Sequence, residues 1–201
     1  MTAHEREESS EKALLRRALL TARAALTAED TERAAGLLAD HALELAELAD
    51  AGTVAAYVSV GREPGTRALL DTLRARGVRV LLPVLLPDND LDWAPYEGAG
   101  SLARAGRGLL EPVGARLGPE AVVGADAVLL PGLAVDGRGM RLGRGGGSYD
   151  RVLARLSRAG ADPALVVLLY ANEVVPRVPE EPHDHPVHAV VTPEWVRRFE
   201  R

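Results

Sequence analysis

The segment from Ala127 to Leu156, AVLLPGLAVDGRGMRLGRGGGSYDRVLARL, holds the residues best placed to do chemistry. A buried apolar run leads into a loop with glycine at 132, 137, 139, 143, 145, 146 and 147, and the loop opens into an amphipathic helix. In an open α/β sheet such a loop lies at the carboxyl end of its strand. The helix that follows turns its unpaired amide groups and positive dipole end toward any anion bound there. Glycine lets the backbone close around phosphate, and Arg141 and Arg144 can add charge-assisted bonds. The pattern reads as a polyphosphate cradle, but of neither common kind. A P-loop requires Gly-Lys-Ser/Thr, and a dinucleotide fingerprint would place its third glycine where Ser148 stands.

A second signal lies in the cations. Of 24 basic residues only Lys12 is a lysine, and Ile and Gln are absent while Ala, Gly, Arg and Leu abound, a composition typical of drift in a GC-rich genome. A surviving lysine is worth following under that drift, because some phosphate sites accept a compact ammonium and not a planar guanidinium fork. At 100° per residue Lys12, Arg16 and Arg23 fall within roughly 40° of each other. They form a cationic stripe along the edge of the apolar face made by Leu15, Leu19, Ala22 and Leu26. Cysteine is absent, which excludes disulfides, zinc ribbons, iron–sulfur clusters and thiol nucleophiles. His183, His185 and His188 crowd together, but without a recognised ligand geometry they read as turn residues rather than a zinc site. A net charge of -5 gives no global pull toward nucleic acid or anionic lipid.

The elements that must position these residues follow from periodicity. With 201 residues, 47% hydrophobic, the chain is expected to form a single domain, 1–201, with the first ten residues a charged, flexible lead. No apolar stretch approaches a bilayer span, and Met1 to Arg17 is polar and charged, unlike a signal peptide. A soluble cytoplasmic protein is expected. Glu11 to Leu26 reads as a helix; Thr27 to Asp30 has the form of a capping box, and Ala34, Leu37, Leu38, His41, Leu45 and Leu48 give the second helix its buried side. Strands are expected over 53–60, 78–83, 91–96, 125–130, 164–170 and 187–191. Helices are expected over 66–76 and 148–159, with a terminal helix starting at Thr192-Pro193. Strands separated by helices imply a three-layer α/β/α architecture with a mostly parallel, Rossmann-like sheet.

The stretch PGLAVDGRGMRLGRGGGSYD resembles the signature of the 5-formyltetrahydrofolate cyclo-ligase family, also called methenyltetrahydrofolate synthetases. The likeness runs from Lys12 to about Thr192. It takes in the opening KALLR, the YVSVGREPGT stretch after the first strand, the LLEP turn and the EPHD tetrapeptide. The resemblance implies an enzyme of one-carbon metabolism that uses ATP and Mg²⁺ to convert 5-formyltetrahydrofolate into 5,10-methenyltetrahydrofolate, releasing ADP and phosphate. In the implied mechanism the formyl oxygen attacks the ATP γ-phosphate, and the neighbouring folate nitrogen traps the phosphorylated imidate. Such chemistry needs charge neutralisation and alignment more than an acid–base residue.

Carried onto this sequence, the resemblance assigns Lys12 and Arg16 to the ATP phosphates, with Arg16 reaching toward folate. It makes the loop Arg141, Leu142, Gly143, Arg144, Gly145, Gly146, Gly147, Ser148 and Tyr149 the other wall of the ATP site, and Lys12 and Arg144 the catalytic cations. Asp150 and Asp184 match the magnesium ligands. Val58 and Glu63 match folate-binding positions, shared with Arg144 and Tyr149. By residue type Trp93 and Tyr149 are candidates to stack on the pterin or adenine ring, although Trp93 reads better as core. The implied partners are reduced folate and ATP, with no nucleic acid or membrane, and a monomer is expected. Three positions depart from the family pattern: Ser148 where an aromatic is frequent, Gly146 where some members carry lysine, and His188 where an acid is common. Two other classes remain open: a non-catalytic nucleotide or folate sensor on the same fold, and a phosphosugar or coenzyme A-transfer enzyme, for which Glu63 would be the nucleophile.

Overall fold

The apolar run Ala127–Leu130 forms β6, the middle strand of a seven-stranded sheet, and all four of its residues are buried. The computed structural model describes residues 3–181 and 184–200, with the backbone alone for 3–9. The other strands of the sheet are β1 (Thr53–Ala55), β2 (Arg79–Leu85), β3 (Leu91–Pro95), β9 (Ala164–Leu168), β10 (Ala189–Val191) and β11 (Val196–Arg198). Their spatial order is β11-β10-β9-β6-β1-β2-β3. Four of the six pairings are parallel, with antiparallel partners only at the two edges. Helices cover both faces, so the central strands are apolar throughout rather than alternating. On one face α2 (Ala28–Ala42) and α4 (Arg67–Ala75) supply Leu38, Leu69, Leu70 and Leu73 to a core with Val54, Leu82 and Leu129. On the other, α5 (Ser148–Ala159) supplies Val152, Leu153 and Leu156 against Val128, Leu130 and Val167. Trp93 belongs to this second core and is fully buried, so the ring is packing rather than a stacking surface.

Most expected elements form, some with shifted ends. The capping box at Thr27 is present, its side chain accepting the Asp30 N–H and the Asp30 side chain accepting the Thr27 N–H. The second helix breaks after Ala42 and resumes as the single turn α3 (Ala46–Ala49). The first helix, α1, runs Ala3–Ala24 and so takes in most of the stretch read as a flexible lead. Two small hairpins escape the periodicity: β4 (Leu102–Arg104) with β5 (Leu110–Pro112), and β7 (Ala134–Val135) with β8 (Arg141–Leu142) inside the glycine-rich loop.

The terminal helix does not form. The Thr192 side chain accepts the N–H groups of Glu194 and Trp195, and the resulting turn sends the chain back as β11, antiparallel to β10. The hydroxyl that would cap a helix here caps a reversal instead. His188 is structural as well: its Nδ1 accepts the Leu165 N–H at 2.9 Å, which ties β10 to β9. His185 is exposed, and His183 lies outside the described residues. Among the described residues no helix is long and apolar enough to cross a membrane.

The loop after β7 is held by a buried carboxylate. Asp136 accepts the backbone N–H groups of Arg138, Met140 and Val178 and pairs with the Arg138 guanidinium at 2.8 Å. Burial by itself would raise its pKa, but these donors outweigh it and hold the carboxyl below the usual range. A carboxylate depressed in the folded state contributes stability above its unfolded pKa, about 4, and loses it as pH falls through the folded value. Asp136→Asn is therefore expected to cost about 1–3 kcal/mol at neutral pH and to flatten the loss of stability below about pH 4. Urea titrations of parent and variant across that range measure both effects.

Candidate functional site

A cleft of about 400 Å³ opens where β6, β1 and β2 end at their carboxyl termini. Tyr57, Val58, Val60 and Glu63 line it from the chain beyond β1, Pro83 and Leu85 from the end of β2, and Pro131 and Gly132 from the exit of β6. The β4–β5 hairpin contributes Arg107, Leu109, Leu110 and Glu111, and the glycine-rich loop contributes Arg141, Gly143 to Gly147, Ser148, Tyr149 and Asp150. This is the place where a parallel sheet binds ligands.

Local backbone rules bring the loop there. Gly147, at φ +76°, precedes α5 in the left-handed region, and no side chain caps that helix. The first-turn amides of α5 therefore carry no side-chain acceptor and keep their affinity for an anion. At the other end of the loop, Gly132 lies so close to the sheet that a Cβ would come within 2.8 Å of Val167 Cγ2. From outside, Leu15 and Leu19 of α1 pack on Leu133, Ala134 and Leu142 of the β7–β8 hairpin. Arg16 Nε donates to Gly143 O at 2.9 Å.

The cationic stripe is the inner face of α1, not its edge. Ala22 is exposed, whereas Lys12 and Arg23 are 6% and 4% exposed. Lys12 Nζ donates to Glu181 at 2.8 Å and to Asp184 at 2.9 Å. Burial opposes its charge, but the two carboxylates outweigh burial and hold its pKa above the ordinary value. Arg23 grips both oxygens of Glu173, at 2.6 and 2.9 Å, and donates to Gly132 O at 2.7 Å. In the cleft Arg144 meets Glu63 at 3.1 Å, and Glu63 also accepts the Val60 N–H. The Arg141 guanidinium donates to Pro131 O at 2.8 Å and lies 3.7 Å from Asp150. Burial pushes its pKa down, with Asp150, Tyr149 and Asp184 pulling the other way. Burial raises the phenols of Tyr149 and Tyr57, and Glu63 adds to both shifts.

Val58, Glu63, Arg141, Gly143, Arg144, Gly145, Gly146, Gly147, Ser148, Tyr149 and Asp150 thus share one cleft. Leu142 does not: its side chain is buried under α1. Lys12, Arg16 and Asp184 flank the cleft rather than line it, Lys12 facing carboxylates and Arg16 bracing the loop. The sequence reading missed the hairpin wall with Arg107 and Glu111, for which the LLEP turn was the visible signal. It also missed Glu181, the first residue of EPHD, as a partner of Lys12.

The two aspartates can be tested against a magnesium ion. Mg²⁺ accepts one or two carboxylates and completes its octahedron with water and phosphate oxygens. The Asp150 side chain is half exposed at the start of α5, the Asp184 side chain is 17% exposed, and both act on the Arg141 guanidinium from separate segments. This donor set fits a cation that arrives with phosphate. It is no cage by itself, and among the described residues no group of three or more His, Asp or Glu side chains is arranged as one.

Fold and site together define a three-layer α/β protein in which a glycine-rich loop carrying two arginines faces the half-buried carboxylate of Glu63 at the carboxyl edge of the sheet. Comparison with known proteins narrows the class. Residues 8–193 match the model of the 5-formyltetrahydrofolate cyclo-ligase family, and the chain belongs to that family. It is 45% identical over 147 residues to the 5-formyltetrahydrofolate cyclo-ligase of Mycolicibacterium smegmatis, covering 71% of this chain and 74% of the relative. The enzyme of the same name from Escherichia coli K12 is 32% identical over 179 residues, 87% of this chain and 96% of that one. Among solved structures, Aquifex aeolicus 5,10-methenyltetrahydrofolate synthetase superposes with a TM-score of 0.79 at 29% identity, covering 94% of this chain and 93% of the other.

The glycines of the cleft are not equivalent. Gly132→Ala drives a methyl into Val167 and is expected to cost about 1–3 kcal/mol. At Gly146 a Cβ meets nothing within 4 Å, so Gly146→Ala should stay within about 0.5 kcal/mol of the parent. Thermal melts of the two variants side by side check the difference.

Proposed function

We propose that the protein catalyses the ATP- and Mg²⁺-dependent cyclisation of 5-formyltetrahydrofolate to 5,10-methenyltetrahydrofolate, with release of ADP and phosphate, through a phosphorylated formyl intermediate. One observation carries the reading: Glu63 and the loop bearing Arg141 and Arg144 line the same cleft, with Arg144 touching Glu63 at 3.1 Å. A site that recognises pterin N–H groups with a carboxylate and phosphates with guanidinium groups brings the formyl oxygen and the γ-phosphate together. The names of the relatives support the same reaction.

The formyl group is an amide and a poor electrophile; phosphorylation turns its oxygen into a leaving group. The residues that serve this step position and neutralise. Glu63 and Val58 hold the pterin. Arg141, Arg144 and the uncapped amides of α5 take the phosphates, while Arg16 fixes the loop from behind. Lys12, drawn from its carboxylates by the nucleotide, supplies the ammonium. Asp150 and Asp184 would hold Mg²⁺, which supplies charge neutralisation to the phosphates when bound. The reading asks for no partner beyond folate and ATP: one domain, 1–201, acts as a monomer in the cytoplasm.

Purified protein mixed with 5-formyltetrahydrofolate, Mg²⁺ and ATP should generate the near-ultraviolet absorbance of the methenyl product. Folded protein that binds both substrates without forming product would sink the enzymatic reading in favour of a sensor. Lys12→Arg keeps the charge and changes its shape; it should raise the KM for ATP about tenfold or more, as expected where a compact ammonium is required. Asp150→Asn should shift the Mg²⁺ concentration needed for half-maximal rate upward. Unchanged kinetics in either variant would reject that residue's role.

A further inference from the structure

Among the described residues three buried side-chain polar atoms lack a hydrogen-bond partner: Trp93 Nε1, Arg141 Nε and the Tyr149 hydroxyl. Trp93 lies inside the core, whereas Tyr149, packed against that core, lines the cleft together with Arg141. A buried donor left unmade costs about 1–3 kcal/mol, and native proteins keep few of them. Phenylalanine at 149 would fill the same space and leave no orphan. The hydroxyl therefore serves no other group of the protein.

Its surroundings indicate what it waits for. Tyr149 shares the cleft lining with Glu63 and Arg141 and lies near enough to feel the charge of both. On the cyclo-ligase reading these are the pterin end and the phosphate end of the cleft, so the hydroxyl stands where the two reactants meet. Arg141 and Tyr149 also bracket Gly143 to Gly147, where Gly145 and Gly147 adopt positive φ. A run this poor in side chains can be reshaped at little steric cost. Both donors are sealed from solvent by the protein, so on this reading a partner reaches them as ligands reshape that run.

We propose that the Tyr149 hydroxyl is a catalytic hydrogen-bond donor. With Arg141 Nε, it binds a non-bridging oxygen of the phosphoryl group that passes from ATP to the formyl oxygen and leaves as phosphate. This rests on the cyclo-ligase reading and goes beyond ring stacking, which needs no hydroxyl. In the first step a lone pair of the formyl oxygen forms a bond to the γ-phosphorus, and the bond to the β-phosphate oxygen breaks, its electron pair leaving with ADP. In the second, the neighbouring folate nitrogen attacks the formyl carbon, the carbon–oxygen bond breaks, and phosphate departs carrying that oxygen; the proton from the nitrogen ends on the phosphate. Negative charge stays on the same non-bridging oxygens throughout. Two water-free donors aimed at one of them lower both barriers while keeping their own protons.

The test is Tyr149→Phe, followed by steady-state kinetics, single-turnover formation of the methenyl product, calorimetric binding of ADP and of 5-formyltetrahydrofolate, and thermal melting. We expect kcat and the single-turnover rate to fall together by about a hundredfold. Both KM values and both dissociation constants should stay within about twofold, and the Tm should be no lower than the parent's, because an orphaned polar group has gone. A structural role would lower Tm and activity together, and a stacking role would leave both unchanged; either result, or a raised KM at unchanged kcat, overturns the proposal. A parent protein that makes no methenyl product overturns the cyclo-ligase reading and this inference with it. An active parent with an equally active variant overturns the inference alone.

Discussion

One buried ion pair registers the segments around the cleft. The Arg23 guanidinium, brought in by the last turn of α1, holds both oxygens of Glu173 beyond β9 and the carbonyl of Gly132 at the exit of β6. Glu173 also accepts the Tyr170 N–H; the Tyr170 ring lies 5.9 Å from the guanidinium, and its hydroxyl donates to Arg62 O, next to Glu63. Hydrophobic residues of similar volume could stabilise this spot as well or better, since desolvating two charges consumes most of what their attraction returns. What the pair adds is direction. It fixes where α1 ends, where the glycine-rich loop begins and where the Glu63 turn sits, relative to one rigid planar fork.

From that anchor the rest of α1 acts as an external wall. Its inward positions, Lys12, Arg16, Leu19 and Arg23, follow the helical repeat, so each successive turn holds a different part of the site. Leu19 packs on the β7–β8 hairpin, Arg16 takes the carbonyl of Gly143, and Lys12 reaches the C-terminal segment through Glu181 and Asp184. A loop with so many glycines gains its shape from such outside contacts, because its own backbone has little preference among conformations.

The helices were legible where their punctuation was local. α5 was read to its end residues because glycines flank it at 147 and 160, and Gly160 adopts the left-handed conformation that closes a helix. The capping box at Thr27 was equally plain. Thr192-Pro193 carries the same kind of signal and misleads, since a hydroxyl accepting nearby N–H groups serves a reversal as well as a helix start. The hairpins escaped because their strands are two or three residues long, below the length at which alternation can be recognised. Periodicity also placed Lys12, Arg16 and Arg23 together without showing that they face inward. That depends on Glu173, Glu181 and Asp184, which lie some 150 to 172 residues away. The contact between Arg144 and Glu63 was hidden for the same reason. The glycine-rich motif marked the cleft's location; the pairing of its charges required the fold.

Those pairings determine how anions can enter. Arg144 is balanced by Glu63, Lys12 by Glu181 and Asp184, and Arg141, less closely, by Asp150. A polyphosphate entering the cleft meets cations that already have partners, so binding is an exchange rather than an addition. Each cation that turns to phosphate gives up a carboxylate contact. On the cyclo-ligase reading, Glu63 then turns to the amino and imino groups of the pterin, and Asp150 and Asp184 to a divalent cation. The free energy of such an exchange is the small difference between two paired states, with no charge left bare in either. A phosphate group without a complementary donor or cation would cost those carboxylates a charged contact with nothing in return. On the cyclo-ligase reading the arrangement therefore favours a complete set of ligands over any one alone.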